Sequence, residues 1–192
     1  MGREVEATAE ESLVRRSARG DGRAFAVLVN RYKGMVYSTA LRLLNDTGRA
    51  EDAAQDTFIK AYAALPGFRG DAKFSSWLYR ICYNSCISML RKKRPEVGLG
   101  EAATASVPGP VEEIRSLSIR RAVTEEVGKM PDDYRAMITL YHFNGLSYEE
   151  IALTTRKPLG TVKAQIHRAR ALLKTRLVER VGWEELRKVM WT

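Results

Sequence analysis

Lys163, Ala164, His167 and Arg168 carry the sharpest chemistry in this sequence. On a helix, positions i, i+1, i+4 and i+5 share a face. A guanidinium such as Arg168 pairs bidentately with a guanine edge, and an ammonium such as Lys163 reaches a phosphate or a guanine. A residue as small as Ala164 keeps the helix surface low where it nears the bases. Upstream, Ser147 followed three residues later by Glu150 is a capping box. The spacing predicts a short helix over 148–154, a tight connection, and a second helix from about Leu159, with Ile151 and Ala152 packed against Val162 and Ile166. That is the layout of a helix-turn-helix whose second helix enters a major groove. A generic helical hairpin with a solvated basic face is the bland alternative; the cap, the turn and the polarity weigh against it.

A second group interleaves aromatic and basic side chains: Phe68, Arg69, Lys73, Phe74, Trp77, Tyr79, Arg80, Tyr83 and Asn84. Such a surface holds unstacked bases and their phosphates. Phe74, Trp77, Leu78 and Ile81 also have the i, i+3, i+4, i+7 spacing of a core stripe, which leaves Phe68, Arg69, Lys73, Arg80 and Asn84 as the better functional candidates. A third group lies on the helix predicted from Thr47 to Leu65. There Ala54, Phe58, Ala61, Tyr62 and Leu65 are read as an inward stripe, with Asp52, Gln55, Asp56 and Ile59 on another face. An acidic patch on a chain of net charge +9 suits a protein partner better than DNA, the alternative being a merely solvated face.

The elements that position these groups are helical throughout, since apolar residues recur every three or four positions. Leu13 begins a short helix that Gly20-Asp21-Gly22 interrupts, and Ala24 to Leu43 mark a longer one. Asn45-Asp46-Thr47 is a break in which Asp46 or Thr47 can cap the next helix. Pro66-Gly67 forces a turn, and Ser75 or Ser76 can cap the helix that reaches the basic cluster at 91–94. Residues 95–111 hold three prolines and three glycines and no Lys or Arg, which is the composition of a flexible linker. Pro131-Asp132 starts a further helix, which Gly145 ends. The fold class is therefore all-α, with two small helical domains joined by a flexible linker and a helix-turn-helix in the C-terminal one. The boundaries are 1–94, 95–111 and 112–180, with a C-terminal extension at 181–192.

The positive charge concentrates in 156–180, where Glu179 is the lone acid, and favours a polyanionic partner. No apolar run approaches the roughly 20 residues that span a bilayer, and the polar N-terminus lacks the core of a signal peptide, so a cytoplasmic location is expected. Cys82 and Cys86 share a helix face and read as small buried apolar residues; a zinc site would need two more ligands, and only the distant His142 and His167 remain. A redox role would need an exposed thiol of low pKa. No Gly-rich phosphate loop, nucleophile-base pair or metal-spaced carboxylate cluster is present, so neither an enzyme nor a cofactor is expected.

The segments Ala53-Ala-Gln-Asp-Thr-Phe-Ile-Lys-Ala-Tyr-Ala-Ala-Leu, Phe68-Arg-Gly-Asp and Phe74-Ser-Ser-Trp-Leu-Tyr-Arg-Ile-Cys-Tyr-Asn resemble the second domain of extracytoplasmic-function sigma factors. Met130-Pro-Asp-Asp-Tyr-Arg and the stretch from Gly145 through Gly160-Thr-Val-Lys-Ala-Gln-Ile-His-Arg-Ala-Arg resemble their fourth domain. The resemblance covers about residues 10–180. It implies that Asp52, Gln55, Asp56 and Phe58 lie in the segment that docks on the clamp coiled coil of core RNA polymerase, with Phe58 supporting that surface from within. It implies that the 68–74 loop pockets a flipped minus-ten base, that Arg80 and Asn84 line the same strand, and that Lys163, Ala164, His167 and Arg168 read the minus-thirty-five element of promoter DNA. An anti-sigma partner is implied as well. Cys82, Cys86 and the tail depart from the pattern; Trp183, Leu186, Val189 and Met190 are spaced for a small amphipathic helix that caps the second domain or serves an added partner. The rival readings are a stand-alone dimeric regulator, which would bind duplex without polymerase, a nucleic-acid enzyme, and a membrane-surface protein. Only the sigma reading accounts for both blocks together.

Overall fold

The computed structural model describes the backbone of residues 2–92 and 111–183 and the side chains of 9–92 and 118–183. All regular structure among the described residues is helical. The chain forms two units, taken separately below. The first contains α1 (Gly2–Ala18), α2 (Gly22–Leu44), α3 (Thr47–Ala64), a 3-10 turn (Leu65–Gly67) and α4 (Phe74–Lys92). The second contains α5 (Val111–Gly128), α6 (Asp132–Ile138), a π-helical segment (Thr139–Phe143), α7 (Tyr148–Thr155) and α8 (Leu159–Val181).

In the first unit, α1 starts well before Leu13. Its first half is rich in Glu and Ala, which favour helix even where the apolar pattern is weak. Tertiary contacts hold it: Val14 and Ser17 are buried, Arg31 Nη1 lies 3.2 Å from Glu10 Oε2, and the Tyr32 hydroxyl donates to the same oxygen. Asp21 caps α2, its Oδ1 accepting from the backbone N–H groups of Arg23 and Ala24 at 3.0 Å each. α2 and α4 form the core, with Leu28, Val36, Ala40 and Leu43 from one and Phe74, Leu78, Cys82 and Cys86 from the other. Burial of each large apolar side chain here stabilises by about 1.5–3 kcal/mol. Both thiols lie in this core, as their spacing predicts; Cys82 Sγ donates to the Val36 carbonyl at 3.7 Å. The Cys86 thiol is pushed up by its hydrogen bond with Cys82 and by burial. α4 begins at Phe74, ahead of Ser75 and Ser76, so neither serine is the cap. Trp77 N–H already bonds the Lys73 carbonyl at 3.1 Å, because burying the Phe74 ring draws the first turn forward.

In the second unit, Val127 and Met130 pack with Ile138 and Ala169. A further cluster joins Ile119 and Ala122 of α5 to Leu177, flanked by Leu173, Val178 and Val181. The C-terminal half of α8 is thereby packed on α5, while its N-terminal half buries one face, with Val162, Ile166 and Ala169, and leaves the other open. Ion pairs lace the same seam. Arg180 Nη1 and Lys129 Nζ each lie 2.9 Å from Glu126 Oε1, and Glu125 pairs with Arg180 and, at 2.9 Å, with Arg121. The Glu126 carboxyl is lowered by its bond from Lys129 and then by Arg180, against the opposing effect of burial; Arg180 and then Arg121 lower Glu125. The stability these groups contribute is present above the unfolded glutamate pKa of about 4.3 and is lost as pH falls through the lower folded values. Glu126→Gln is therefore expected to flatten the acid limb of a melting-temperature profile taken between about pH 6 and 3. A limb of unchanged slope would exclude this cluster as its source. Residues 95–110 of the expected linker and 184–192 of the tail, with Leu186, Val189 and Met190, lie outside the described residues. Trp183 is described, its ring 5.0 Å from Lys174 Nζ.

Candidate functional site

The C-terminal surface is built from its turn upward. α6 leads through the π-helical segment, where Asn144 N–H reaches the Thr139 carbonyl at 3.0 Å, into Gly145 at φ +67°. That left-handed conformation favours glycine. Ser147 then caps α7. Glu150 N–H donates to Ser147 Oγ at 3.1 Å, and Ser147 N–H donates to Glu150 Oε2 at 2.9 Å, completing the predicted box. α7 ends on Arg156, which is itself left-handed at φ +55°. Arg156→Gly is expected to stabilise the unit by about 1 kcal/mol, because a Cβ is disfavoured there. A rise in the chemical-denaturation midpoint at unchanged slope is the readout, and a fall would mean that the side chain holds the turn.

Lys157 staples the turn, its Nζ donating to Asp133 Oδ1 at 2.9 Å and to Gln165 Oε1 at 3.0 Å. Beyond it, Val162 and Ile166 of α8 and Ile151 of α7 are buried, as predicted, with Ala169 buried as well, while Ala152 is half-buried. Lys163, His167 and Arg168 are exposed, and Ala164 is half-exposed. All four fall on the face turned from the core. In the same unit, Tyr141 and Tyr148 stack at 5.0 Å and His142 meets Tyr141 edge-on at 4.8 Å. Burial and the charge of Arg170 lower the His142 imidazole.

In the first unit, Phe68 N–H closes on the Leu65 carbonyl at 3.0 Å, and the loop turns at Gly70, φ +80°. Phe68 is half-buried, with its ring 5.9 Å from Phe74 and 5.0 Å from Trp77; Phe74 in turn meets Tyr32 at 5.4 Å. These rings brace the loop from below, while Arg69, Lys73, Arg80 and Asn84 stand exposed. Lys73, Trp77, Arg80 and Asn84 recur at i, i+4, i+7 and i+11, which makes one stripe of basic, aromatic and amide groups.

On α3 the buried stripe is Ala50, Ala53, Thr57 and Ala61, continued by Leu65. It shares Ala61 and Leu65 with the stripe the sequence predicts, but at its start Ala50, Ala53 and Thr57 take the inward place expected for Ala54 and Phe58. Small side chains let α3 sit close, and Thr57 enters the core because its hydroxyl donates to the Ala53 carbonyl at 2.6 Å. Tyr62 is displaced to the margin, 42% exposed and 4.8 Å from Phe25, and Phe58 is half-buried, 6.5 Å from the same ring. Asp52 and Gln55 are exposed, and Ile59 is 70% exposed. The polar face read from the sequence therefore carries an apolar residue open to a partner. Asp56 is half-buried, with Lys60 Nζ 2.6 Å from its Oδ2.

A family model for sigma-70 region 2 matches residues 28–96, and one for sigma-70 region 4 matches residues 120–173. The RNA polymerase sigma-H factor of Pseudomonas aeruginosa is 39% identical over 173 residues, covering 84% of this chain and 90% of that protein. The sigma factor SigW of Bacillus subtilis is 36% identical over 177 residues, covering 85% and 94%. The sigma-E factor of Escherichia coli K12 is 40% identical over 173 residues, covering 84% and 90%. Among solved structures, CnrH in complex with the cytosolic domain of CnrY superposes with a TM-score of 0.64 at 29% identity, over 90% of this chain and 99% of that one. RpoE from Bartonella quintana shares the fold, with a TM-score of 0.62 at 24% identity over 82% and 98%.

Proposed function

We propose, for a chain that belongs to the extracytoplasmic-function sigma factors and so directs RNA polymerase to promoters, a division of labour among three surfaces. Lys163, Ala164, His167 and Arg168 of α8 read the minus-thirty-five element in the major groove. The 68–74 loop, with Arg69, Lys73, Arg80 and Asn84, captures the unstacked minus-ten strand. Asp52, Gln55 and Asp56, supported by Phe58 and joined by Ile59, dock on the polymerase clamp. The chain is not an enzyme: polymerase supplies the catalysis, and no cofactor is needed.

The observation that carries this reading is the two-faced build of α8. Val162, Ile166 and Ala169 are sealed inside while Lys163, His167 and Arg168 are exposed beside a capped, stapled turn. DNA opening costs about 1.4 kcal/mol per base-pair step, and each stacked base captured returns about 1–3 kcal/mol. A few captured bases hold a nucleated bubble with little surplus, so promoter choice is stringent. No helix among the described residues is long and apolar enough to cross a membrane, which accords with a cytoplasmic factor. An anti-sigma partner fits as well, CnrH having been solved with a cytosolic domain bound.

Run-off transcription with core polymerase, on promoters carrying single minus-ten or minus-thirty-five substitutions, tests the scheme. Starts are expected only with both proteins present, and steep losses at several positions. If polymerase neither binds nor initiates while the chain alone shifts a defined duplex, it acts as a stand-alone regulator.

A further inference from the structure

Buried hydroxyls in the first unit mostly turn back on their own helix. Ser17 donates to the Leu13 carbonyl at 2.7 Å, Thr39 to Met35 at 2.8 Å and Thr57 to Ala53 at 2.6 Å. Ser85 of α4 behaves differently. It is 1% exposed, and its partners belong to α3. Lys60 Nζ donates to Ser85 Oγ at 3.3 Å and to Asp56 Oδ2 at 2.6 Å, so one ammonium bridges the buried hydroxyl and the carboxylate. Partial burial raises the Asp56 carboxyl, but the bond from Lys60 and the neighbouring Ser85 hydroxyl outweigh it and hold the group below the usual carboxylate range. The result is a bridge from hydroxyl through ammonium to carboxylate at the edge of the surface that carries Asp52, Gln55 and Ile59.

We propose that Ser85 is a positioning residue for polymerase docking: from inside α4, with Lys60, it fixes the direction in which α3 presents the Asp56 carboxylate. The inference rests on the reading of α3 as the docking surface. A buried hydroxyl that lacked this role could satisfy itself on its own helix, as its three counterparts do. Ser85 also follows Asn84 directly in the chain. One short stretch of α4 thus orders a docking carboxylate on one side and shows a strand-facing amide on the other.

The test is the affinity of the full chain for core RNA polymerase, measured for Ser85→Ala, Asp56→Asn and the double variant. Ser85→Ala is expected to weaken binding about three- to tenfold, the worth of one hydrogen bond to a partly exposed charged group. Asp56→Asn is expected to weaken it at least as much, and the double variant no further than Asp56→Asn alone, because Ser85 acts through that carboxylate. Lys60→Met, on the exposed side where folding is not at stake, is expected to show the same non-additivity. Losses that multiply would assign Ser85 to general packing and overturn the proposal. So would a normal Ser85→Ala beside weakened Asp52→Ala and Asp56→Asn, an outcome that leaves the docking surface standing. If none of Asp52→Ala, Gln55→Ala and Asp56→Asn weakens binding, the docking reading fails and the proposal with it.

Discussion

Arg168→Ala is expected to lower initiation at the cognate promoter by about 5- to 150-fold, equivalent to the ~1–3 kcal/mol carried by a bidentate contact to a base. Arg168 is exposed, while its neighbours Ile166 and Ala169 are buried and hold the backbone of α8 in place. The substitution therefore removes an interaction and leaves the helix intact. A base-reading side chain has a second signature, a loss of discrimination confined to one promoter position. Lys163→Ala serves as the contrast: a phosphate contact weakens binding uniformly across sequences and reduces the salt slope by about one. The measurement is transcription on a set of minus-thirty-five variants at two ionic strengths. An Arg168→Ala loss spread evenly over all variants would move that residue from base reading to backbone contact.

Arg135→Met is expected to remove about 2–4 kcal/mol of stability from the second unit, which for so small a unit means a large fall in melting temperature. Arg135 is 7% exposed. Its Nη1 donates to the Gly128 carbonyl at 3.0 Å and to the Met130 carbonyl at 3.4 Å, and its Nη2 pairs with Asp132. One guanidinium thus closes the C-terminus of α5 and the turn into α6. Methionine fills much of the volume but donates nothing, so the carbonyls lose their partner in a buried place. Arg135→Lys keeps the charge without the planar fork and is expected to fall between the two. Urea unfolding followed by circular dichroism gives the ordering; a Met variant as stable as the parent would show that water replaces the guanidinium freely.

What the sequence made readable was local. The Ser147–Glu150 box, the buried and exposed positions of α8 and the burial of Cys82 and Cys86 all follow from spacings of three or four residues. What it hid depends on distant partners. Arg135 looks like a surface charge until α5 delivers its carbonyls. The stripe on α3 slipped because bulky Phe58 and Tyr62 outrank Ala50 and Ala53 on any hydrophobicity scale, whereas close helix packing prefers the small residues. The first half of α1 has little apolar rhythm, and Glu10 becomes legible only when Arg31 and Tyr32 reach it. The left-handed Arg156 and the π-helical segment leave no pattern that a periodicity of 3.6 detects. The candidate residues themselves were chosen by type and spacing, and the structure adds which of them stand free and which rings brace them.

The burial of Cys82 and Cys86 gives the first unit a chemical clock. Both thiols are buried, Cys82 against the Val36 carbonyl of α2, so an alkylating reagent reaches them only in molecules whose core has opened. In the fast-reclosing limit, the labelling rate divided by that of an unfolded peptide thiol reads the opening equilibrium directly, residue by residue, without denaturant. Polymerase or an inhibitor bound to this unit would slow the clock in proportion to its occupancy, so the two native thiols gauge how fully the unit is engaged without any introduced cysteine.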